Sequence, residues 1–364
     1  MTLNTFGVSV WVTITATPTA SHSPKRLGRV VWLDIARGGT ILLVVSWHAF
    51  LAASVLGDVG NIVKNFNQDA RPIRMPLFFF CSGMLAAELL MKQWSAVIKK
   101  RVLPVVWLIL VWTLVQAIMN LKIHVYTWQY WDKFPDFFPF FWIPMGVLWF
   151  MYATLYLMIF ARLIRSLPIF YQVFATVILT LAIRRMAPHI SEELGQLGLL
   201  FRSLGDYAVF SFMAGVWLQK PIIGHFCNFR NAAAVLILSS CPLICLMAFK
   251  TKGYEILGFD IAVTALLIAM AISFARIIDE IPYVRSFLAW FGRRTLEIFV
   301  GHMLFISIVS QIFGQSNSND IPFAYFVMVF LGIAGPLLLR WLSSKIHMEW
   351  MYIYPAHLFP RTGV

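Results

Sequence analysis

Charged residues are scarce in this chain. Asp, Glu, Lys and Arg make up 12% of its 364 residues, whereas 60% of the residues are hydrophobic. Soluble domains carry about 25% charged residues, and a water-soluble fold of this size could not bury so many Phe, Leu, Ile and Trp side chains. The composition therefore excludes a soluble protein and predicts one that lies in a lipid bilayer.

Cysteine is also scarce, with four residues in the whole chain. Cys81, Cys241 and Cys245 lie in apolar runs, and Cys227 lies in a short loop. No Cys-x-x-Cys pair and no Cys/His spacing typical of a zinc site occurs. The sequence therefore predicts neither a disulfide framework nor a metal site.

Three other signals are missing. Residues before Lys25 lack the basic segment that begins a signal peptide, and we predict a disordered cytosolic tail over residues 1–27. No Gly-x-Ser-x-Gly sequence occurs, so Ser82-Gly83 favours close helix packing over a serine nucleophile. The two halves show no internal repeat, and we expect no soluble domain.

Long apolar runs dominate what is present. Ten of them approach the roughly 20 residues that a spanning helix needs. They cover residues 38–56, 75–91, 102–121, 143–161, 166–183, 203–219, 231–249, 256–275, 295–313 and 321–339. A cytosolic N-terminus puts more Lys and Arg in the inner loops than in the outer loops. We expect an all-α integral membrane protein with about ten transmembrane helices over residues 28–345, a cytosolic tail over 346–364, and both termini in the cytosol.

The net charge of +13 is distributed over short loops between the apolar runs. Basic residues that set membrane topology have this distribution, whereas a nucleic-acid-binding protein concentrates them on one face. We therefore expect a lipid bilayer as the surroundings and no nucleic-acid partner. The long outer connection, residues 122–142, is rich in aromatic residues. It is either an aromatic belt at the membrane interface or a lid that stacks on sugar rings.

The first apolar run carries the clearest ionisable residues. Arg37 and His48 are eleven residues apart, which places them on one stripe of a helix, about 16 Å apart along its axis. Asp34 precedes Arg37 by three residues and can pair with it. An ionisable group at a helix centre costs about 2.5–3.5 kcal/mol. His48 is therefore either a general base or a packing residue that hydrogen-bonds to another helix.

A second basic group, Lys99, Lys100 and Arg101, lies at the cytosolic start of the third run. Such a group can anchor the topology of the helix. It can also bind a polyanionic donor, since arginine suits bidentate contacts with phosphate.

Together these segments resemble the membrane-bound acyltransferase-3 family from about residue 31 to 340. The matching motifs are Leu33-Asp34 with Arg37 and His48, Phe78 to Gly83, Lys100-Arg101 with Pro104, Leu148-Trp149-Phe150, and Gly292 with Leu296 and His302. The family often carries Arg-x-x-Arg at the third helix, where this chain has Ile98 at the first position.

The resemblance implies an O-acyltransferase that takes an acetyl group from cytosolic acetyl-CoA and places it on a glycan hydroxyl. It assigns catalysis to His48, Arg37 and Asp34, the donor's anionic head to Arg101, Lys100 and Lys99, and the acceptor to Arg74, Trp149 and His302. The chain is similar to short members that modify xanthan-like exopolysaccharide, which implies a bacterial inner membrane, a lipid-linked or growing glycan acceptor and neighbouring polysaccharide-assembly proteins. Acetyl and succinyl transfer both stay open, as do direct transfer and a covalent acyl-enzyme.

Transport is the alternative hypothesis. Asp206, Asp260, Glu297 and His302 could form a proton relay in a proton-coupled transporter or a glycan flippase. Many transporters contain inverted repeats, and this chain shows none. The sequence therefore favours the acyltransferase.

Overall fold

The computed structural model describes residues 30–123, 146–194, 196–226, 228–251, 259–315 and 320–355. About 90% of the structure is helical, and the described residues contain no strand, so the predicted all-α fold is confirmed. The α-helices are α1 (Val31–Leu56), α2 (Asn61–Asp69), α3 (Arg71–Leu90), α4 (Trp94–Val97), α5 (Leu103–Ile123), α6 (Trp149–Ile164), α7 (Ile169–Leu194), α8 (Gln196–Ser203), α9 (Val209–His225), α10 (Phe229–Thr251), α11 (Phe259–Ile278), α12 (Pro282–Arg293), α13 (Thr295–Gln315) and α14 (Ile321–Lys345).

Two π-helical segments join pairs of these helices. Ile98–Val102 connects α4 to α5, and Leu204–Ala208 connects α8 to α9. A π-helical turn is rare and often marks a functional site. The first of these segments contains all three basic residues of the predicted donor site.

Eight helices in the described part of the chain are long and apolar enough to cross a membrane. They correspond to eight of the ten predicted runs, and the membrane class is confirmed. The other two runs, 203–219 and 231–249, overlap α9 and α10. Helix α9 has 17 residues, and the apolar part of α10 is the shorter stretch Phe229–Ser240. The number of ten crossings stays a prediction.

Glycines bring α3 and α9 into close contact. A Cβ atom on Gly83 would lie 2.0 Å from the carbonyl oxygen of Phe212, and one on Gly215 would lie 2.2 Å from that of Phe80. The Ser82 hydroxyl donates to the Phe78 carbonyl of its own helix at 2.8 Å. Ser82-Gly83 therefore serves helix packing, as the sequence predicted.

Helix α12 lies across α1 through a second pair of glycines. A Cβ atom on Gly38 would lie 2.0 Å from the carbonyl oxygen of Leu288, and one on Gly292 would lie 1.9 Å from that of Asp34. The backbones of the two helices therefore touch beside Arg37. Since α12 has only 12 residues and largely exposes Tyr283 and Phe287, it is too short to span and presents aromatic residues on its outer face.

Residues 346–355 fold back onto α5. The indole N–H of Trp107 donates to the carbonyl of Trp350 at 2.7 Å, and that of Trp112 donates to the carbonyl of Met351 at 2.9 Å. The first ten residues of the predicted C-terminal tail are thus packed against the protein. The predicted N-terminal tail over residues 1–27, most of the aromatic connection over 122–142 and residues 356–364 lie outside the described residues.

Candidate functional site

Two histidines from distant parts of the sequence meet between α1 and α13. Nε2 of His302 lies 3.3 Å from Nδ1 of His48, and the ring centroids are 5.0 Å apart. His302 is fully buried, whereas His48 keeps part of its surface exposed. Of the two rings, His48 is therefore the one that a substrate can reach.

Backbone carbonyls contribute to the choice of tautomer in both rings. Nδ1 of His302 lies 2.7 Å from the carbonyl oxygen of Phe299 and 3.1 Å from that of Ile298. A carbonyl oxygen only accepts, so Nδ1 carries the hydrogen and Nε2 of the neutral ring is an acceptor. Nδ1 of His48 is likewise 2.9 Å from the Val44 carbonyl and carries the other hydrogen. These hydrogens are assigned from the hydrogen-bond network.

The remaining nitrogen of His48, Nε2, differs from Nδ1 in its hydrogen bonding. With the hydrogen on Nδ1, Nε2 of His48 holds a lone pair, and within the described part of the chain it has no hydrogen-bond partner. An accessible imidazole nitrogen in this state can accept a proton from a hydroxyl group. The geometry therefore suits His48 to act as a general base.

A cavity of about 300 Å³ opens beside the N-terminal part of α1. Its polar end is lined by Arg37, Lys100 and Arg101. Arg37 also lies 3.6 Å from the Asp34 carboxylate, so the predicted pairing of these two residues is confirmed. Lys99 is exposed on the same π-helical segment and is not part of this lining.

Three phenylalanines form an aromatic part of the cavity lining. The ring of Phe150 lies 4.6 Å from that of Phe78 and 5.3 Å from that of Phe299, and all three rings line the cavity. Phe299 in turn lies 6.1 Å from His302, ring to ring. We call these two parts of the lining the cationic end and the aromatic end; the aromatic end adjoins His302 through Phe299.

Arg74 lies on the other side of His48. Its guanidinium is buried and stacks 4.5 Å from the ring centroid of Trp47, the residue that precedes His48. It also donates to the Asn67 carbonyl at 3.4 Å. The predicted acceptor residue Arg74 is therefore near His48, at the end of α1 opposite to Arg37.

A buried polar cluster next to Arg74 was not foreseen from the sequence. The Ser46 hydroxyl donates to the amide oxygen of Asn67 at 2.8 Å and lies 2.8 Å from the hydroxyl of Tyr325. Ser46 is a polar residue in the middle of an apolar run, two positions before His48, and that is the signal that could have identified it. Nothing in the sequence pairs it with Tyr325, which lies on α14.

Trp149 packs within the aromatic cluster. Its ring lies 6.0 Å from that of Phe79 and 6.4 Å from that of Phe150. Trp149 thus contacts Phe150, Phe150 contacts Phe299, and Phe299 contacts His302. Its predicted contact with an acceptor stays a prediction.

No carboxylate among the described residues hydrogen-bonds to either histidine. Glu297 lies in the first turn of α13, Asp206 lies in the second π-helical segment, and the side chain of Asp260 is outside the described residues. The described residues also contain no group of three His, Cys, Asp or Glu side chains that could hold a metal ion. The described residues therefore show no proton relay that would support the transporter hypothesis.

A histidine pair next to a cavity with cationic and aromatic lining is an arrangement that suits proton transfer during catalysis. A family model described as an acyltransferase domain matches residues 30–341. The chain belongs to the acyltransferase-3 family. The matched region of this acyltransferase contains His48, His302 and every residue named above in the cavity. Searches of curated proteins and of solved structures found no match.

Proposed function

We propose that the acyltransferase moves an acetyl group from cytosolic acetyl-CoA to a hydroxyl of a lipid-linked or growing exopolysaccharide, in the inner membrane of a bacterium. The observation that carries the proposal is the unpartnered Nε2 of His48, on a ring that contacts His302, while His302 lies next to Phe299 in the lining of a cavity with cationic residues. Other polysaccharide-assembly proteins are the expected partners in this membrane.

The shape and charge of the cavity support a coenzyme A thioester as the donor. Coenzyme A has a highly anionic head and a long, thin arm that ends in the thioester. Lys100 and Arg101 are exposed at the cationic end, where they can form charge-assisted hydrogen bonds with phosphate groups. Apolar residues such as Leu108 and Met158 line the cavity further along, which suits the arm. The thioester then approaches Phe299, next to the histidine pair.

The reaction follows from the free nitrogen of His48. Nε2 of His48 removes the proton of the sugar hydroxyl while the hydroxyl oxygen attacks the thioester carbonyl carbon. The C–S bond then breaks, and the coenzyme A thiolate takes the proton from His48. The products are the sugar ester and free coenzyme A, and His48 returns to its neutral state.

Direct transfer is the form of the reaction that the contacts favour. A covalent route needs a nucleophile within hydrogen-bond distance of the base. Among the described residues, the hydrogen-bond partners of His48 are the Val44 carbonyl and His302. The nearby Ser46 hydroxyl is bonded to Asn67 and Tyr325 instead.

The test compares His48→Ala with His225→Ala in membranes that contain equal amounts of each protein by blot. His225 is an exposed histidine at the end of α9, far in sequence from the histidine pair. We expect transfer of radiolabelled acetyl groups from acetyl-CoA to the glycan to fall about 10²–10⁴-fold in His48→Ala and to be normal in His225→Ala. Undiminished acetylation in His48→Ala would refute the catalytic role.

A further inference from the structure

The second histidine has an environment that differs from that of a substrate-binding residue. His302 is fully buried, and both of its ring nitrogens are engaged, Nδ1 with two backbone carbonyls and Nε2 with His48. A sugar can therefore reach His302 only if these contacts break. The acceptor contact that the resemblance implied for His302 stays a prediction, and these contacts suit another task.

We infer that His302 is a positioning residue, whose Nε2 accepts the Nδ1 hydrogen of His48 and thereby keeps Nε2 of His48 unprotonated and directed at the reacting hydroxyl. The inference rests on the proposed function, because it assigns His48 the role of base. It adds a residue that never touches either substrate.

His302 itself is held rigidly. Its Nδ1 hydrogen is shared between the carbonyls of Ile298 and Phe299, which fixes the ring against its own helix. The next helix limits movement of α13, since a Cβ atom on Gly301 would lie 3.0 Å from Cβ of Pro336. A ring that is fixed in this way presents its Nε2 lone pair to His48 in one direction only.

The effect on His48 follows from the choice between two tautomers. A neutral imidazole carries its hydrogen on one nitrogen or the other, and the hydrogen bond at one nitrogen decides the state of the other. Two acceptors, the Val44 carbonyl and Nε2 of His302, meet at Nδ1 of His48. Both favour the tautomer with the hydrogen on Nδ1, and the accessible Nε2 is therefore the basic nitrogen.

The same contact stabilises the protonated intermediate. When Nε2 of His48 takes the hydroxyl proton, the ring becomes an imidazolium and both of its nitrogens donate. The Nδ1 hydrogen then donates to the lone pair of His302 more strongly, because a charge-assisted hydrogen bond is about twice as strong as a neutral one. The substrate proton goes on to the thiolate, and the Nδ1 hydrogen stays on His48 throughout, shared between the Val44 carbonyl and Nε2 of His302.

Two substitutions separate this role from the alternatives. In His302→Gln the amide oxygen lies near the former position of Nε2 and can accept, but the side chain cannot titrate. In His302→Phe the ring shape is kept and the acceptor is lost. A proton relay through His302 would be abolished in both variants, whereas a positioning acceptor is restored only by glutamine.

The experiment uses the purified full chain in lipid nanodiscs, with acetyl-CoA and isolated glycan as substrates. We expect His302→Phe to lower kcat by about 10²-fold with KM for both substrates within about twofold, in line with the loss of a residue that orients a catalytic histidine. His302→Gln should recover kcat to within about tenfold of the wild type. Equal loss in both variants, a change confined to the glycan KM, or full activity in His302→Phe would each overturn the inference.

Nitrogen NMR of ¹⁵N-histidine-labelled protein provides a readout that does not depend on activity. His48→Ala and His302→Phe spectra assign the two rings, and thermal unfolding shows whether each variant is folded. In the wild type and in His302→Gln, Nε2 of His48 should give the signal of an unprotonated nitrogen, and in His302→Phe the two tautomers should mix. A pure tautomer in His302→Phe would refute the positioning role. If His48→Ala keeps its activity while this tautomer pattern holds, the proposed function fails and the hydrogen bond stands.

Discussion

The contact between α1 and α12 predicts a large effect from one added methyl group. In Gly38→Ala the new Cβ atom would lie 2.0 Å from the carbonyl oxygen of Leu288, whereas ordinary contacts begin at 3.4 Å. The two helices must therefore move apart by roughly 1.4 Å at this position. Gly38 follows Arg37, which lines the cationic end of the cavity, so the displacement moves Arg37 relative to Lys100 and Arg101.

The size of the effect can be estimated from two opposing terms. Overpacking of a tight contact costs about 1–3 kcal/mol, and the higher helix propensity of alanine returns up to about 1 kcal/mol. The protein should therefore fold, with a reduced stability. A misplacement of about 1 Å in a site can cost about 10²-fold in rate. We expect a loss of acetyl transfer of that order in Gly38→Ala.

The neighbouring glycine provides the matched control. A Cβ atom on Gly39 meets no atom within 4 Å, so Gly39→Ala makes the same chemical change one residue along the same helix without a clash. We expect its acetyl transfer to equal that of the wild type and its Tm to be equal or higher. Tm is measured by fluorescence-detected chromatography of heated, detergent-solubilised protein. The reasoning fails if the two variants have the same activity and the same Tm.

Three further predictions concern the two ends of the site. Arg101→Gln should raise KM for acetyl-CoA about tenfold or more, because a hydrogen bond to a charged group contributes about 1.5–3 kcal/mol. Lys99 is outside the cavity lining, so Lys99→Gln should leave KM for acetyl-CoA unchanged. Equal effects of the two substitutions would contradict the assignment of Arg101 to the donor site. Phe299→Ala should enlarge the aromatic end and raise the rate with butyryl-CoA relative to acetyl-CoA, measured by competition; an unchanged ratio would mean that the acyl group lies elsewhere. Tyr325→Phe removes the hydroxyl that lies 2.8 Å from Ser46. It should lower the free energy of unfolding by roughly 1 kcal/mol and Tm by about 2–4 °C. An unchanged Tm would show that the Tyr325 hydroxyl does not contribute to stability.

The apolar runs predicted most of the helical segments because the thickness of a bilayer sets the length of a spanning helix. The start of α1 is an instructive difference. The first run was predicted from residue 38, after the charged Asp34 and Arg37, whereas α1 begins at Val31. The two charged residues lie within the helix because they pair with each other at 3.6 Å, and a scan for apolar residues cannot recognise such a pair.

The candidate site was predictable only within single helices. Helical spacing placed Asp34 next to Arg37 and put His48 on the same stripe, and the structure agrees with the pairing. The contact between His48 and His302 joins residues 254 positions apart. It depends on how α13 packs against α1, and the spacing along the chain carries no information about that packing.

Helix α12 and the aromatic end of the cavity also could not be predicted from the sequence. No run was predicted for α12, because its 12 residues include Arg285 and Arg293 and are too few to span a bilayer. Phe78, Phe150 and Phe299 come from three different helices. Each one looks like an ordinary lipid-facing or core residue in the sequence, and only the packing shows that they meet.

The return of the last described segment onto α5 has a consequence for the order of biosynthesis. Trp107 and Trp112 donate their indole hydrogens to the carbonyls of Trp350 and Met351, which are made some 240 residues later. Helix α5, which follows the π-helical segment with the predicted donor-binding cations, therefore lacks these two bonds until residues 350 and 351 have been made. A nascent fragment that stops short of residue 350 therefore lacks two of the hydrogen bonds that hold α5 in place.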